Sequence, residues 1–288
     1  MTESYFVSVI IPLYNRESTI ERAINSALKQ DYVKEIIVID DGSRDNGPLI
    51  VENLSKSYPI IKLIRTNNNN GAAAARNIGI NIAKYEYIAF LDSDDEWMEN
   101  KILLQFQSLQ NNPEIDCVYT GVFEINKDLI IKKNAIYYEN PIKYLLYWNY
   151  IGSTSTCLIK KSALKAVSGF DTSLEARQDL DLWLRLTLNG SRFLPINKPL
   201  TFIHLDSDNR ISNNILKKIR AHEYFIKKHL NVMIKYPIAL SKNYLRLAYF
   251  YKINHNKSIS KEYYKKAWMY NKSFKTFKNY IFHCILNL

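Results

Sequence analysis

Four short apolar runs, each separated from the next by a helix-length stretch, constrain the fold of this 288-residue chain most strongly. Phe6-Val7-Ser8-Val9-Ile10-Ile11-Pro12, Glu35-Ile36-Ile37-Val38-Ile39, Ile60–Arg65 and Tyr87-Ile88-Ala89-Phe90 read as buried strands. Ser18-Thr19-Ile20-Glu21 is a capping-box pattern opening a helix through about Gln30. Further helices are expected up to about Ser57, over Ala72–Ala83, and from about Met98 to Asn111. Strands alternating with helices at these lengths indicate a mostly parallel sheet with helices on both faces.

In such α/β sheets, ligands bind outside the carboxyl ends of the strands. Pro12-Leu13-Tyr14-Asn15, Asp40-Asp41-Gly42-Ser43 and Leu91-Asp92-Ser93-Asp94-Asp95 all fall at those ends. The last cluster is costly there. Neighbouring carboxylates repel one another and resist desolvation, so stability alone does not favour them. A divalent cation removes the penalty, and Asp-Ser-Asp offers two hard oxygen ligands two residues apart. Mg²⁺ and Mn²⁺ suit such sites, and Mg²⁺ is often shared with substrate phosphates. A solvated turn is the plainer reading of an isolated D-x-D; the other strand ends argue against it here.

Past residue 112 the pattern loosens. Asp116–Ile125 and Leu129–Tyr138 suggest a hairpin around Asn126-Lys127-Asp128, and Ser155–Ile159 another strand. Leu180–Leu188 is helical, and Phe193–Ile196 and Leu200–His204 are short strands. From about Ile211 the chain reads as helices, broken near Pro237 and Asn254-His255-Asn256.

Charge divides the chain. Residues 211–288 hold 16 Lys/Arg against two acids, while 1–210 hold 23 against 26. The tail therefore suggests an anionic partner. Its lysines interleave with Tyr249, Tyr263, Trp268 and other aromatics, a mixture that suits the membrane interface. A packed helical appendage with a solvated Lys-rich face is the alternative. Nucleic acid is not the expected partner, because no recognised nucleic-acid module is visible. Cys117, Cys157 and Cys284 lack ligand spacing and read as small buried residues in a reducing cytosol. Met1-Thr2-Glu3-Ser4 does not open a signal peptide, and no apolar run reaches transmembrane length.

The body resembles the inverting family 2 glycosyltransferases with a GT-A fold. Ser8–Asn15 resembles that family's opening strand, and Asp40-Asp41-Gly42-Ser43-Arg44-Asp45 its D-D-G-S-x-D turn. Gly71–Gly79 with Ala75-Arg76-Asn77, then Leu91–Asp95, resemble its G-x-x-x-A-R-N-x-G helix and metal motif. Gly169-Phe170-Asp171 and Asp179–Arg185 resemble its acceptor-side segment. The likeness covers roughly residues 5–210. It implies a catalytic domain over 1–210, with a nucleotide-binding half 1–112 and an acceptor-binding half 113–210, followed by the helical region 211–288.

The resemblance implies a UDP-sugar donor, a metal ion (Mn²⁺ or Mg²⁺) and a glycan acceptor on a lipid carrier, as in bacterial surface-polysaccharide synthesis. It implies a cytoplasmic protein, peripheral at the inner face of the cell membrane. Asp41 would contact the base, with Pro12 and Tyr14 lining that pocket; a turn-forming role for Asp41 and a core role for Tyr14 stay open. Arg76 would sit near the donor phosphates or sugar, or else pair with the acidic cluster. Asp92 and Ser93 belong to the nucleotide-sugar site, Asp92 at the ribose. Asp94 would bind the metal, with His204 a further ligand or merely structural. Arg210 would clamp the diphosphate. Asp95 is expected to cap the following helix. Gly71 and Gly79 are expected to serve close packing.

Asp179 is the candidate general base, with Asp181 its rival and a helix N-cap its alternative role. The family usually has Glu-Asp where this chain has Gln178-Asp179. A nucleotidyltransferase, or a nucleotide- or carbohydrate-binding module that has lost activity, are the competing readings. The first predicts a Gly-rich loop after the opening strand, where this chain has Pro12-Leu13-Tyr14-Asn15-Arg16.

Overall fold

The computed structural model describes residues 6–127, 129–205 and 214–281. The elements run β1 (Val7–Leu13), α1 (Ile20–Leu28), β2 (Val33–Asp40), α2 (Gly47–Ser57), β3 (Ile61–Arg65), α3 (Ala72–Ile82), β4 (Tyr87–Phe90), β5 (Glu96–Trp97) and α4 (Lys101–Asn111). There follow β6 (Cys117–Asn126), β7 (Leu129–Lys133), α5 (Pro141–Leu145), β8 (Cys157–Lys160), α6 (Lys161–Ala166), α7 (Gln178–Leu188) and β9 (Phe193–His204). The chain continues through α8 (Ile215–Met233), α9 (Pro237–Ile253), α10 (Lys257–Tyr270) and α11 (Phe274–Tyr280).

The strands join in one sheet of order β3-β2-β1-β4-β8-β6-β9-β5, with β7 paired to β6. The expected parallel core is β3-β2-β1-β4. Antiparallel β8 follows it, and β6 and β9 then run in the direction of β1. The two short strands expected within 193–204 are one strand, β9, which takes up extra residues opposite Gly121 of β6, where the pairing register shifts. The capping box at Ser18–Glu21 does not form. Thr19 makes no side-chain cap, and the Thr19 and Ile20 amides both donate to the Arg16 carbonyl, closing a tight turn instead.

Alternation along β1 explains the layers. Val7, Val9, Ile11 and Leu13 share one apolar cluster with Ile20, Ile24, Val51, Ile102 and Phe106 from α1, α2 and α4. Ile10 faces the other way, onto α3. A Cβ at Gly79 of α3 would lie 2.5 Å from Ile10 Cγ2, so this glycine does serve close packing. Gly79→Ala is expected to cost about 1–3 kcal/mol through overpacking, read as a lower urea midpoint. Gly71 is different: a Cβ there meets nothing within 4 Å, but its φ of 87° is one that L side chains rarely adopt.

The chain separates into two compact units, 1–137 with 150–172 and 185–208, and 138–149 with 173–184 and 209–288. The second is therefore more than the stretch after residue 210. The short segments 138–149 and 173–184 are bound into it: Asn243 donates to the Leu146 carbonyl, and Asp181 accepts from His229 and Lys228. In this unit α9 packs between α8 and α10, over a core that includes Phe225, Met233, Leu240, Leu247 and Ala267. Part of the tail's aromatic content is spent inside. Tyr251 and Tyr263 stack at 5.6 Å and both donate to Glu223, one of the tail's two acids. Burial and this carboxylate push the Tyr251 hydroxyl up to about 12. Among the described residues, no helix is long and apolar enough to cross a membrane.

In the first unit, Lys101 is fully buried, its ammonium 2.9 Å from Gln105 Oε1 and 4.3 Å above the Trp97 ring. Burial pulls it from its ordinary 10.5 down to about 7. The unfolded chain therefore binds this proton more tightly than the folded one. Stability contributed here should rise as pH goes from about 7 to 10.5, and stay constant below that window. Lys101→Met is expected to raise the urea midpoint at pH 7 and flatten that rise. Unchanged profiles would contradict it.

Candidate active site

Adjacent parallel strands bring three loops to one edge of the sheet. Leu13 of β1 is in register with Asp40 of β2, and Ile10 with Phe90 of β4, so residues 14–16, 41–43 and 92–94 leave the sheet side by side. The first two loops are stapled together. Asn15, at φ 50°, donates its amide to Ser43 and accepts from the Arg44 amide; Asp45 accepts from the Glu17 amide, and Glu17 from the Asn46 amide. Asn15 is thus a turn residue. Tyr14 is 42% exposed, which excludes the core role. Pro12 is buried within β1, opposite Ile39.

The two aspartates that end β2 divide their work. Asp40 forms the Asx turn, accepting from the Ser43 amide, and meets Arg65 at 3.3 Å. Asp41 is buried and reaches across to the Asn67–Gly71 loop. Its Oδ1 accepts from the Asn70 amide and Thr66 hydroxyl, and its Oδ2 from the Gly71 amide at 2.7 Å. This carboxylate therefore fixes the entry to α3, using the amide that the unusual backbone of Gly71 presents.

The acidic turn is held by residues the sequence reading passed over. Residues 154–156 form a 3-10 turn before β8, where a strand had been expected from Ser155. Ser155 Oγ accepts from the Asp92 amide and donates to Asp95 at 2.6 Å, while Ser153 and Thr154 hydroxyls reach Asp92 at 3.4 Å. Asp95 is consequently buried against Ser155 and does not cap α4, which begins six residues beyond it at Lys101. The run of small hydroxyl residues from Ser153 to Thr156 was the available signal.

Arg76 crosses this region. It is 7% exposed, its guanidinium donates to Asp92 at 2.5 Å and lies over the Phe170 ring, so the ion pair with the cluster is real. Its Nε has no hydrogen-bond partner among the described residues, leaving a donor to spare. Asp94 lies 3.6 Å from Arg16 Nε, beyond hydrogen-bond range, and its backbone carbonyl accepts from Arg22. Ser93 is buried.

Among the described residues no three His, Cys, Asp or Glu converge into a protein-only cage. Within the turn, Asp92 pairs with Arg76 and Asp94 faces Arg16. His204 ends β9 with Nε2 3.9 Å from Glu96. Arg210 lies outside the described residues.

In the second unit the two candidate bases differ sharply. Asp181 is fully buried, 2.8 Å from His229 Nε2 and 2.9 Å from Lys228 Nζ. Asp179 is only partly buried, inside the first turn of α7; Asn149 donates to its Oδ2 at 2.7 Å and the Leu180 amide to its Oδ1. Gln178 donates to the Leu174 carbonyl at 2.8 Å, a bond an ionised Glu could not make, which accounts locally for the missing acid. Arg177 was also overlooked. It holds φ 64°, contacts the His222 ring and lies over Phe225, while its Nε and Nη2 are buried with no hydrogen-bond partner among the described residues.

A sheet of this topology, with acidic turns at its carboxyl edge, has the GT-A arrangement. The Glycosyl transferase family 2 model matches residues 8–168, and the chain belongs to that family. It is 34% identical over 222 residues, 76% of this chain and 84% of the relative, to the Escherichia coli UDP-Glc:alpha-D-GlcNAc-diphosphoundecaprenol beta-1,3-glucosyltransferase WfgD. The fold matches S. aureus TarS in complex with UDP-GlcNAc (TM-score 0.65, 20% identity, 96% of this chain and 79% of that one). It also matches the Pyrobaculum calidifontis mannosyltransferase PcManGT in complex with GDP-Man and Mn²⁺ (TM-score 0.64, 16% identity, 99% and 81%).

Proposed function

We propose that this glycosyltransferase moves a hexose from a UDP-sugar, with inversion, to a hydroxyl of a glycan carried on a lipid diphosphate, in capsule, O-antigen or related surface-polysaccharide synthesis. The observation that carries the reading is the shared sheet edge bearing Tyr14, Asp41 and Asp92–Asp94, with Arg76 bonded to Asp92. The lipid-linked acceptor is argued from the name of the 34% identical relative.

Tyr14, exposed beside Pro12, offers a ring on which a base can stack, and the remaining lone pair of Asp41 Oδ2 suits an imide N–H. Asp92 keeps an exposed face for ribose hydroxyls, with Ser93 beside it. Arg76 and, from 206–213, Arg210 supply positive charge to the phosphates. Asp94 would hold Mn²⁺ or Mg²⁺, with His204 a less well-placed second ligand. Such an ion, when bound, stabilises the charge that develops on the leaving diphosphate.

Asp179 is the general base. It accepts the proton of the acceptor hydroxyl as that oxygen bonds to the anomeric carbon, and the bond from that carbon to the diphosphate breaks, releasing UDP. Asn149 orients the carboxylate through Oδ2. A lipid-linked acceptor suits an enzyme working in the cytoplasm, peripheral at the inner face of the membrane. A coupled assay of UDP release, run over UDP-sugars with a GlcNAc-diphospholipid acceptor, tests the reading. Acceptor-dependent release is expected with one donor, and its absence with every donor would oppose it.

A further inference from the structure

The second unit carries a groove of about 850 Å³ whose lining is both cationic and apolar. Lys242, Leu245, Arg246, Tyr249, Lys252 and Ile253 supply one wall. Their spacing puts all six on one stripe of α9, opposite its buried Leu240, Asn243 and Leu247, and spread over about 15 Å of helix. Tyr147 and Asn279 contribute to the rest of the lining, and among the described residues no carboxylate does.

Two of the cations are pre-organised. Arg246 donates to the Tyr147 carbonyl at 3.2 Å, and the Lys242 ammonium sits 3.9 Å above the Tyr147 ring. Arg246 is also close enough to Arg177 to repel it. Together with burial, that repulsion pulls the Arg177 guanidinium down to about 9, against the attraction of Asp179. The same two arginines and burial hold His222 well below its ordinary range. Cations gathered with so little acid repel one another, a cost that an anion joining them would remove.

We propose that the α9 groove binds the diphosphate head of one polyprenyl-type lipid, with Lys242, Arg246 and Lys252 on the phosphates and Leu245, Tyr249 and Ile253 along the first part of the chain. The inference rests on the lipid-linked acceptor proposed above and gives that acceptor a place. Charge complementarity favours phosphate over a neutral lipid. The fixed cations and the concave shape favour a single headgroup over a flat bilayer contact. The interleaving of charge with apolar side chains favours an amphiphile over a free anion.

The test uses the full chain with its nucleotide site saturated by UDP and Mn²⁺, and farnesyl diphosphate as the soluble probe, by calorimetry. Wild-type protein should bind it, and Lys242→Ala/Arg246→Ala should weaken binding at least about tenfold, the effect of losing charge-assisted hydrogen bonds. Sodium diphosphate and farnesol should each bind far more weakly. UDP affinity should match wild type in the variant, which shows that it is folded. If it is not folded, Lys252→Glu on the exposed end of the stripe replaces it. Equal farnesyl diphosphate affinity in wild type and variant would overturn the site. So would diphosphate binding as tightly as the lipid, or capture by phosphatidylglycerol vesicles without farnesyl diphosphate binding. Wild-type protein that ignores UDP would instead sink the proposed function.

Discussion

Asp179→Asn protein is expected to bind UDP like wild type and to transfer sugar about 10²–10⁴ times more slowly, the range for a lost general base. The amide keeps the shape of the carboxylate but cannot accept a proton. Asp181→Asn is expected to fail differently. That carboxylate is sealed between His229 and Lys228, so the change leaves a buried charge without its counter-ion, at about 3–5 kcal/mol. The loss should be read in the urea midpoint, with activity per folded molecule largely kept. A fully active Asp179→Asn beside a folded, inactive Asp181→Asn would reverse the assignment.

Asp94→Ala is expected to weaken UDP binding at least tenfold in the presence of Mn²⁺, and EDTA should do the same to wild type. Either change would remove the charge stabilisation that an ion held by Asp94 would supply to the diphosphate, an effect of several kcal/mol. Asp92→Asn should behave otherwise. Arg76 would lose its ionic partner, so folding stability should fall along with affinity. UDP affinity equal in wild type, EDTA-treated and Asp94→Ala protein would rule out a metal on this turn.

The sequence made the sheet half legible because its strands are continuous β-branched runs buried on both faces, as in Val7–Leu13 and Ile36–Asp40. Residues at strand ends were likewise legible, since parallel pairing of adjacent strands brings them together whatever the loops do. What escaped depended on partners distant in sequence. Asp95 looks like a helix cap until Ser155 arrives from 60 residues away to take its proton-accepting side. Ser18–Glu21 looks like a capping box until the Arg16 carbonyl claims the amides. Asp179 and Asp181 are both acids in one helical turn, and only the burial of Asp181 against α8 separates them. The tail's aromatics read as an interface, yet Tyr251 and Tyr263 turn inward to Glu223, a contact 40 residues long for the second.

The most direct measurement is UDP release from a panel of UDP-sugars with a GlcNAc-diphospholipid acceptor, in Mn²⁺, for wild type and Asp179→Asn side by side. Acceptor-dependent release by wild type from one donor, absent in EDTA and lost in Asp179→Asn, is the expected result. Release that is independent of acceptor, metal and Asp179 would contradict the proposed reaction.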